Sequence, residues 1–299
     1  MDTPAQPRSR LKVWLLAARP KTLWAAVAPV VVGTALAVDD GVFHALSAFF
    51  ALLGSVLIQV GTNFSNDYAD FEKGADTGER KGPMRVTQAG LVTPEMMRRA
   101  TSAVFALALL SGVYLIWRGG WPVVAIGVLS ILSGILYTAG RYSLAYLGLG
   151  DLFVLIFFGP VAVAGTYYVQ ALFVQPFVLV AGLGPGLLSV AILLANNIRD
   201  VDEDRLADKR TLVVRFGRSF GVGLYGFCLG GAAVVALAVA FLSSQHPWAA
   251  VAALVPVLGI VNVKTLARER EAHVLNPVLG ATGRLLFIYS FVFSVGWIL

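Results

Sequence analysis

Charged residues are scarce in this chain of 299 residues. Only 13% of them are Asp, Glu, Lys or Arg, whereas 58% are apolar, and the mean hydropathy is +0.77. Five stretches contain no charged residue, and each is long enough to form at least one membrane span. They are residues 41–66, 100–117, 119–140, 152–198 and 219–263. This composition excludes an ordinary soluble domain.

The uncharged stretches also set the expected number of helices. Residues 152–198 and 219–263 can each hold two spans, because turn and polar residues interrupt them at 170–176 and 243–247. Further spans near 22–38 and 277–299 bring the expected total to nine. Segments this long and continuously apolar do not fit barrel strands. The sequence therefore predicts an all-α, polytopic membrane protein.

Two residue types that often carry chemistry are nearly missing. Cys228 is the single cysteine, which excludes an internal disulfide and a thiolate metal site. The three histidines, His44, His246 and His273, show no catalytic spacing. We expect residues 1–12, which are polar and contain two prolines, to form a disordered tail. Residues 13–299 then form a single transmembrane domain.

The basic residues are distributed unevenly among the expected loops. With nine spans and a cytoplasmic N-terminus, every Lys and Arg except Arg118 falls on the cytoplasmic side. This bias fixes the orientation and places the C-terminus outside. The net charge of +6 is thus explained by topology, not by a nucleic-acid partner.

Carboxylates and carboxamides are concentrated in two clusters at the ends of apolar runs. The first consists of Asn63, Asn66, Asp67 and Asp70, and the second consists of Asn196, Asn197, Asp200 and Asp204. In the first, the spacing of three, four and seven positions puts all four side chains on one helical face, and the aspartates of the second are four apart. A solvated helix end is the ordinary explanation for such aspartates. The asparagines lie deeper, however, where polar groups are costly and usually functional.

Aspartates aimed into one cavity would repel each other unless a cation held them together. Hard oxygen ligands favour Mg²⁺, which keeps waters and often shares its shell with substrate phosphates. The sequence therefore predicts a magnesium site and diphosphate chemistry at a membrane surface. Asp76 is a weaker candidate ligand because it follows in a loop, and Asp202, Glu203 and Asp208 are expected to be solvated.

Several motifs resemble those of the UbiA-type intramembrane prenyltransferases, in particular the branch that uses 1,4-dihydroxy-2-naphthoate. The resemblance extends from about residue 15 to the C-terminus. It is carried by Arg19-Pro20-Lys21-Thr22-Leu23, Asn66-Asp67-x-x-Asp70, Gly82-Pro83-Met84-Arg85, Asn196-Asn197-Ile198-Arg199-Asp200-x-x-x-Asp204 and Lys209-Arg210-Thr211-Leu212. One feature departs from the general pattern: Gly74 stands where a third acid is expected, and Asp76 comes two residues later.

The resemblance implies nine helices around a central cavity, with cytoplasmic loops 2–3 and 6–7 capping it. It also implies transfer of a polyprenyl group to the naphthoate with decarboxylation, giving demethylmenaquinol for menaquinone biosynthesis. Both aspartate pairs would hold Mg²⁺, and further candidate metal ligands are Asp76, Asn63, Asn66, Asn196 and Asn197. Candidate diphosphate-binding residues are Lys73, Arg80, Arg85, Lys209 and Arg215, and candidate acceptor-binding residues are Arg19, Lys21, Tyr137, Arg141 and Tyr142.

Simpler roles compete with these assignments. The basic residues also fit topology or lipid headgroup contact, and the tyrosines also fit an interfacial belt. Within the family, 4-hydroxybenzoate or homogentisate is an alternative acceptor. Outside it, a divalent-cation or secondary transporter could place Asp and Asn in helices, although transporters usually bind ions near the midplane. The prediction is an enzyme of the cell inner membrane with its site on the cytoplasmic side.

Overall fold

The computed structural model describes residues 9–74, 82, 84–139 and 143–299, and this part of the chain contains helices and no strand. The α-helices are α1 (Arg10–Ala18), α2 (Trp24–Asp39), α3 (Ala45–Glu72), α4 (Pro94–Gly119), α5 (Trp121–Leu136), α6 (Leu144–Leu147), α7 (Gly150–Phe157), α8 (Pro160–Ala171), α9 (Pro176–Arg199), α10 (Val201–Leu206), α11 (Leu212–Phe216), α12 (Arg218–Ser243), α13 (Ile260–Arg268) and α14 (Ala272–Ile298). Short 3₁₀ turns occupy Pro20–Thr22, Pro247–Leu254 and Pro256–Gly259. The predicted all-α class is confirmed.

The helices make this a multi-pass membrane protein. In the described part, seven helical segments are long and apolar enough to cross a bilayer, with α7–α8 and Pro247–Arg268 each counted as one. The helical segments Arg10–Thr22 and Trp24–Asp39 are bent by 53° at the break between them, and they add an eighth span if they are counted as one. The ninth predicted span corresponds to α5, which has 16 residues and would be only about 24 Å long. The count of nine therefore depends on α5.

Capping residues explain where the first helices begin. Ser9 caps α1 by accepting a hydrogen bond from the Lys12 backbone, so α1 starts inside the segment predicted as a tail. Thr93 caps α4 in the same way and is followed by Pro94 at the first helical position. Residues 1–8 of the predicted tail lie outside the described residues.

The main core lies where α2, α9, α12 and α14 pack together. Its largest fully buried side chains include Leu188, Tyr225, Tyr289 and Phe293. Close backbone contacts tighten the neighbouring junction: a Cβ on Gly182 would lie 2.7 Å from the Cα of Pro160. Small residues of this kind let membrane helices approach closely. The core leaves the opposite side of the bundle, between α3, α4, α5 and α8, free for a cavity.

A smaller cluster fixes the segment that follows α3. Ala17 of α1 and Phe64 of α3 pack with Val86, Val92 and Met97. This packing places residues 84–92 beside the C-terminal half of α3. The chain near the first acidic cluster is thereby held in place by apolar contacts as well as by polar ones.

Candidate active site

The two acidic clusters meet at the C-terminal ends of α3 and α9, and Asp204 of the second cluster lies on the short helix α10 that follows α9. Lys209 joins them, because its Nζ lies 3.3 Å from an oxygen of Asp70 and 3.9 Å from an oxygen of Asp204. The carboxylates of both clusters are buried: the relative exposure is 2% for Asp67 and Asp70, 5% for Asp200 and 9% for Asp204. Residues about 130 positions apart in the sequence therefore form one buried site.

Asp70 has the densest set of cationic partners. Arg85, which is 7% exposed, forms an ion pair with one carboxylate oxygen, and Lys209 lies near the other. Arg85 also donates to the backbone carbonyl of Asn66 at 2.9 Å. Two predicted diphosphate-binding residues thus lie directly against a predicted metal ligand, where a buried carboxylate requires compensating charge.

Asp67 holds the segment after α3. Its two oxygens accept hydrogen bonds from the backbone N–H groups of Val86 at 3.2 Å and Thr87 at 3.1 Å. A metal bound to Asp67 would have to share these oxygens with the backbone. The carboxylate therefore positions Arg85, which directly precedes the two donors.

Asp200 forms an ion pair with its neighbour Arg199. Arg199 is part of a sequence motif, but the sequence indicated no role for it. Nε and Nη2 of Arg199 donate to the two oxygens of Asp200 at 2.6 and 2.7 Å. The same guanidinium donates to Asn196 at 2.5 Å and to Asn276 of α14 at 3.0 Å. Arg199 directly follows the uncharged run 152–198, and this position was the sequence signal for a buried, functional arginine. Arg199 thus connects the second cluster with α14 through hydrogen bonds.

Two of the four asparagines predicted as metal ligands, Asn63 and Asn66, form hydrogen bonds to neighbouring segments of the bundle. Asn63 donates to the carbonyl of Ala18 at 2.8 Å and to the hydroxyl of Thr22 at 3.1 Å. Asn66 accepts from the Thr138 hydroxyl at 2.8 Å. Asn197 is buried beside the second cluster. These contacts explain why amides occur at this depth.

The donor set suits Mg²⁺ although the protein alone does not enclose it. Among the described residues, no three carboxylate, histidine or cysteine side chains converge closely enough to hold a metal ion. Asp76, the predicted additional ligand, lies outside the described residues. Mg²⁺ usually binds through one or two carboxylates plus water and substrate phosphate, so a complete protein cage is not required. Lys209 already places a positive charge between Asp70 and Asp204.

The remaining predicted diphosphate-binding residues differ in their surroundings. Lys73 donates to the Thr138 carbonyl at 2.5 Å and to the Ser143 hydroxyl at 3.3 Å. Partial burial lowers the pKa of Lys73, and the negative charge of Asp70 opposes this shift. Arg80 lies outside the described residues.

Arg215 secures a loop instead of facing the aspartates. It donates to the backbone carbonyls of Arg210 at 2.9 Å and Leu147 at 2.7 Å. Gly148 permits this contact, because it has a φ of +73° and a Cβ there would lie 2.6 Å from the Arg210 carbonyl oxygen. The predicted role of Arg215 in diphosphate binding remains a prediction.

Three of the predicted acceptor-binding residues, Arg19, Lys21 and Tyr137, lie in the described part of the chain. Arg19, which has a φ of +52°, lies close enough to Asp70 and Tyr137 to act on both electrostatically. Lys21 is exposed, and its aliphatic chain packs against Gly280 of α14. Arg141 and Tyr142 lie outside the described residues.

Beneath the acidic clusters, Tyr137 lines an apolar cavity of about 300 Å³. The cavity lies between α2, α3, α4, α5, α7 and α8 and reaches Val169 near the far end of α8. It contains one group that was not predicted from the sequence, the amide of Gln59.

Comparison with known proteins places the chain in a family. The model of the UbiA prenyltransferase family matches residues 26–294. The 1,4-dihydroxy-2-naphthoate octaprenyltransferase of Escherichia coli is 37% identical over 97% of this chain and 96% of its own length. The enzyme of the same description from Mycobacterium tuberculosis is 36% identical over 93% of this chain and 94% of its own.

A solved structure has the same fold. A UbiA homologue from Archaeoglobus fulgidus bound to GPP and Mg²⁺ has a TM-score of 0.64 and 16% identity, covering 94% of this chain and 99% of that one. At this identity the likeness concerns the fold alone. The family match over most of the chain and the full-length relatives establish that this protein belongs to the UbiA prenyltransferase family.

Proposed function

We propose that this protein transfers a polyprenyl group from a prenyl diphosphate to 1,4-dihydroxy-2-naphthoate, with loss of the carboxyl group, to give demethylmenaquinol for menaquinone biosynthesis. The observation that carries the proposal is the single buried site in which Lys209 joins Asp70 and Asp204. The activity described for the full-length relatives from E. coli and M. tuberculosis supports the choice of acceptor over 4-hydroxybenzoate or homogentisate.

Asp67, Asp70, Asp200 and Asp204 are the residues that would hold Mg²⁺. When bound, the metal supplies positive charge that neutralises the departing pyrophosphate. Asp70 and Asp204 are best placed, because they already share a cation. The A. fulgidus homologue, which has been solved with GPP and Mg²⁺ bound, is consistent with divalent metal use in this fold.

Arg85, Lys209 and Lys73 would bind the diphosphate. Each is held near Asp70 by the protein, so little rearrangement is needed to bring its charge to a phosphate oxygen. Fixed cations aimed at developing negative charge stabilise the transition state more than mobile ones do. Arg80 and Arg215 remain secondary candidates.

The apolar cavity is suited to the start of the prenyl tail. Its lining is almost entirely apolar, and each buried CH₂ contributes about 0.8 kcal/mol. Arg19 would bind the acceptor carboxylate at the charged end of this cavity, where its charge acts on Tyr137. Lys21, Arg141 and Tyr142 are alternative contacts for the acceptor.

We further propose nine membrane spans within a single domain of residues 13–299. The bent pair α1–α2 and the short helix α5 supply the two spans beyond the seven long ones. The protein would lie in the inner membrane of the cell. The bias in the positions of Lys and Arg supports an N-terminus and a site on the cytoplasmic side and a C-terminus on the outer side.

The purified protein should form a prenylated, decarboxylated naphthalene product from 1,4-dihydroxy-2-naphthoate. The assay offers Mg²⁺, a prenyl diphosphate and a panel containing the naphthoate, 4-hydroxybenzoate and homogentisate, and mass spectrometry identifies the products. Addition of EDTA should abolish turnover. Preference for either of the other acids would overturn the assigned acceptor, and cation flux in liposomes without prenyl substrate would support the transporter alternative.

Tyr146 provides a test of the lysine pair. Its ring centroid lies 4.0 Å from Nζ of Lys73 and 5.8 Å from Nζ of Lys209, which fits cation–π contacts. We expect Tyr146→Leu to raise the KM for prenyl diphosphate about 3- to 10-fold, because both ammonium groups lose this support. Tyr146→Phe keeps the ring and should keep the KM. Equal effects of the two substitutions would contradict this role.

A further inference from the structure

Gln59 is the one carboxamide among the described residues that line the apolar cavity. It lies on α3, one helical turn before Asn63, and lines the apolar cavity. The residue is 8% exposed. Two serines of the same cavity are satisfied within the protein: Ser55 donates to the Ala26 carbonyl at 2.8 Å and Ser111 to the Ala108 carbonyl at 2.7 Å. Gln59 differs from them.

The orientation of the Gln59 amide is set by its neighbour. Nδ2 of Asn63 donates to the carbonyl of Ala18, which fixes Oδ1 of Asn63 as the group that faces Gln59. Nε2 of Gln59 lies 3.5 Å from that oxygen, so exchanging the nitrogen and oxygen of Gln59 would bring two acceptors together. Within the described residues, the remaining atom, Oε1 of Gln59, has no hydrogen-bond partner.

A buried acceptor without a partner is unfavourable, so such a group calls for a donor from outside the protein. A prenyl tail has no hydrogen-bond donor, and a diphosphate carries oxygens that would repel Oε1. The hydroxyl groups of the aromatic acceptor are donors. In 1,4-dihydroxy-2-naphthoate the C1 hydroxyl is adjacent to the carboxylate and can bond to it internally, which leaves the C4 hydroxyl to be satisfied by the protein.

We propose that Oε1 of Gln59 accepts a hydrogen bond from the C4 hydroxyl of the acceptor and so orients the ring in the cavity. This inference rests on the proposed function. Arg19 directly follows Ala18, whose carbonyl binds Asn63, one turn of α3 from Gln59. A ring with its C2 carboxylate at Arg19 can therefore direct its C4 hydroxyl, which is meta to the carboxylate, toward Gln59. Gln59 would then position the acceptor ring through one contact, between its Oε1 and the C4 hydroxyl.

Equilibrium binding of matched ligands tests the contact. Binding of 1,4-dihydroxy-2-naphthoate is compared with that of 1-hydroxy-2-naphthoate, which lacks the C4 hydroxyl, under anaerobic conditions. We expect the wild-type protein to bind the monohydroxy acid about 3- to 10-fold more weakly. In Gln59→Met the two ligands should bind equally, whereas Gln59→Glu, which keeps an acceptor oxygen, should retain the preference for the C4 hydroxyl.

Gln170→Met is the matched control. Gln170 is also a buried glutamine, but its amide donates to the Thr166 carbonyl at 2.9 Å and accepts from the His44 backbone at 3.3 Å. The control should keep the wild-type ligand preference. If thermal unfolding shows that Gln59→Met is not folded, Gln59→Leu replaces it. The ratio of the two dissociation constants in the wild-type protein is also informative by itself.

Three results would overturn the inference. One is an unchanged ligand preference in Gln59→Met, and another is equal binding of the two acids by the wild-type protein. The third is a lower kcat with both binding constants unchanged, which would indicate that the amide acts on the allylic cation instead. These failures differ from a failure of the proposed function, which would show as no product from 1,4-dihydroxy-2-naphthoate in wild-type protein.

Discussion

Asp70→Asn should reduce prenyl transfer at least about 100-fold while leaving the protein folded. The substitution keeps the side-chain volume but removes the negative charge that faces Arg85 and Lys209. Without that charge, the site loses a proposed metal ligand and the ion-pair partner of two proposed diphosphate-binding cations. Loss of one preorganised electrostatic contact typically costs about 10²–10³ in rate. Turnover at saturating Mg²⁺ measures the effect.

Asp208→Asn is the matched control for this substitution. The Asp208 side chain is 85% exposed, in agreement with the solvated position that the sequence predicts. Its φ of +52° is one that Asn tolerates, so the backbone should not change. The control should retain wild-type turnover. If Asp70→Asn also retained more than about a tenth of it, the joined carboxylate site would not be the catalytic centre.

The periodicity of the sequence was sufficient to locate the candidate site. Asp67 and Asp70 share a helical face at the end of an apolar run, and the structure buries both of them. Asp200 and Asp204 are also buried, but they do not share one continuous helix, because α9 ends at Arg199 and Asp204 lies on α10. Helical phase and apolar depth are local properties, so they can be read without knowing which helices are neighbours.

The partners of these carboxylates could not be predicted in the same way. Arg85 and Lys209 both reach Asp70, yet one lies 15 and the other 139 positions away in the sequence. The position of Asn63 did not predict that its Nδ2 donates to Ala18 and Thr22, and its role as a metal ligand stays a prediction. Such pairings depend on how helices pack, which the spacing of residues within one helix does not determine.

Gln59 and the length of α5 show two further limits. Gln59 lies on the same face as Asn63, inside an uncharged run, and this was a usable signal for a functional amide. For α5, the uncharged run 119–140 suggested a full span, but the α-helix covers only Trp121–Leu136. Charge alone overestimates helix length when uncharged turn residues extend the run.

Arg199→Met should destabilise the protein strongly, because it removes one partner of a buried ion pair. Arg199 is 3% exposed and Asp200 is 5% exposed, so the carboxylate would remain buried without its bidentate partner. Breaking such a pair from one side typically costs about 3–5 kcal/mol. The acceptor oxygens of Asn196 and Asn276 would lose their donor as well. We expect the melting temperature in detergent to fall by about 5–15 °C.

A double substitution separates stability from catalysis at this position. In Arg199→Met with Asp200→Leu, neither charge of this pair remains, and apolar replacement of a whole buried pair is often neutral or stabilising. The melting temperature should therefore return toward the wild-type value. Turnover should stay at least about 100-fold reduced, because the lost carboxylate is proposed to bind Mg²⁺.

Arg205→Met, at an exposed position of α10, is the control for the substitution itself and should change neither the melting temperature nor turnover. A stable, fully active Arg199→Met protein would show that Asp200 does not depend on this pair, and an active double variant would remove Asp200 from the metal site.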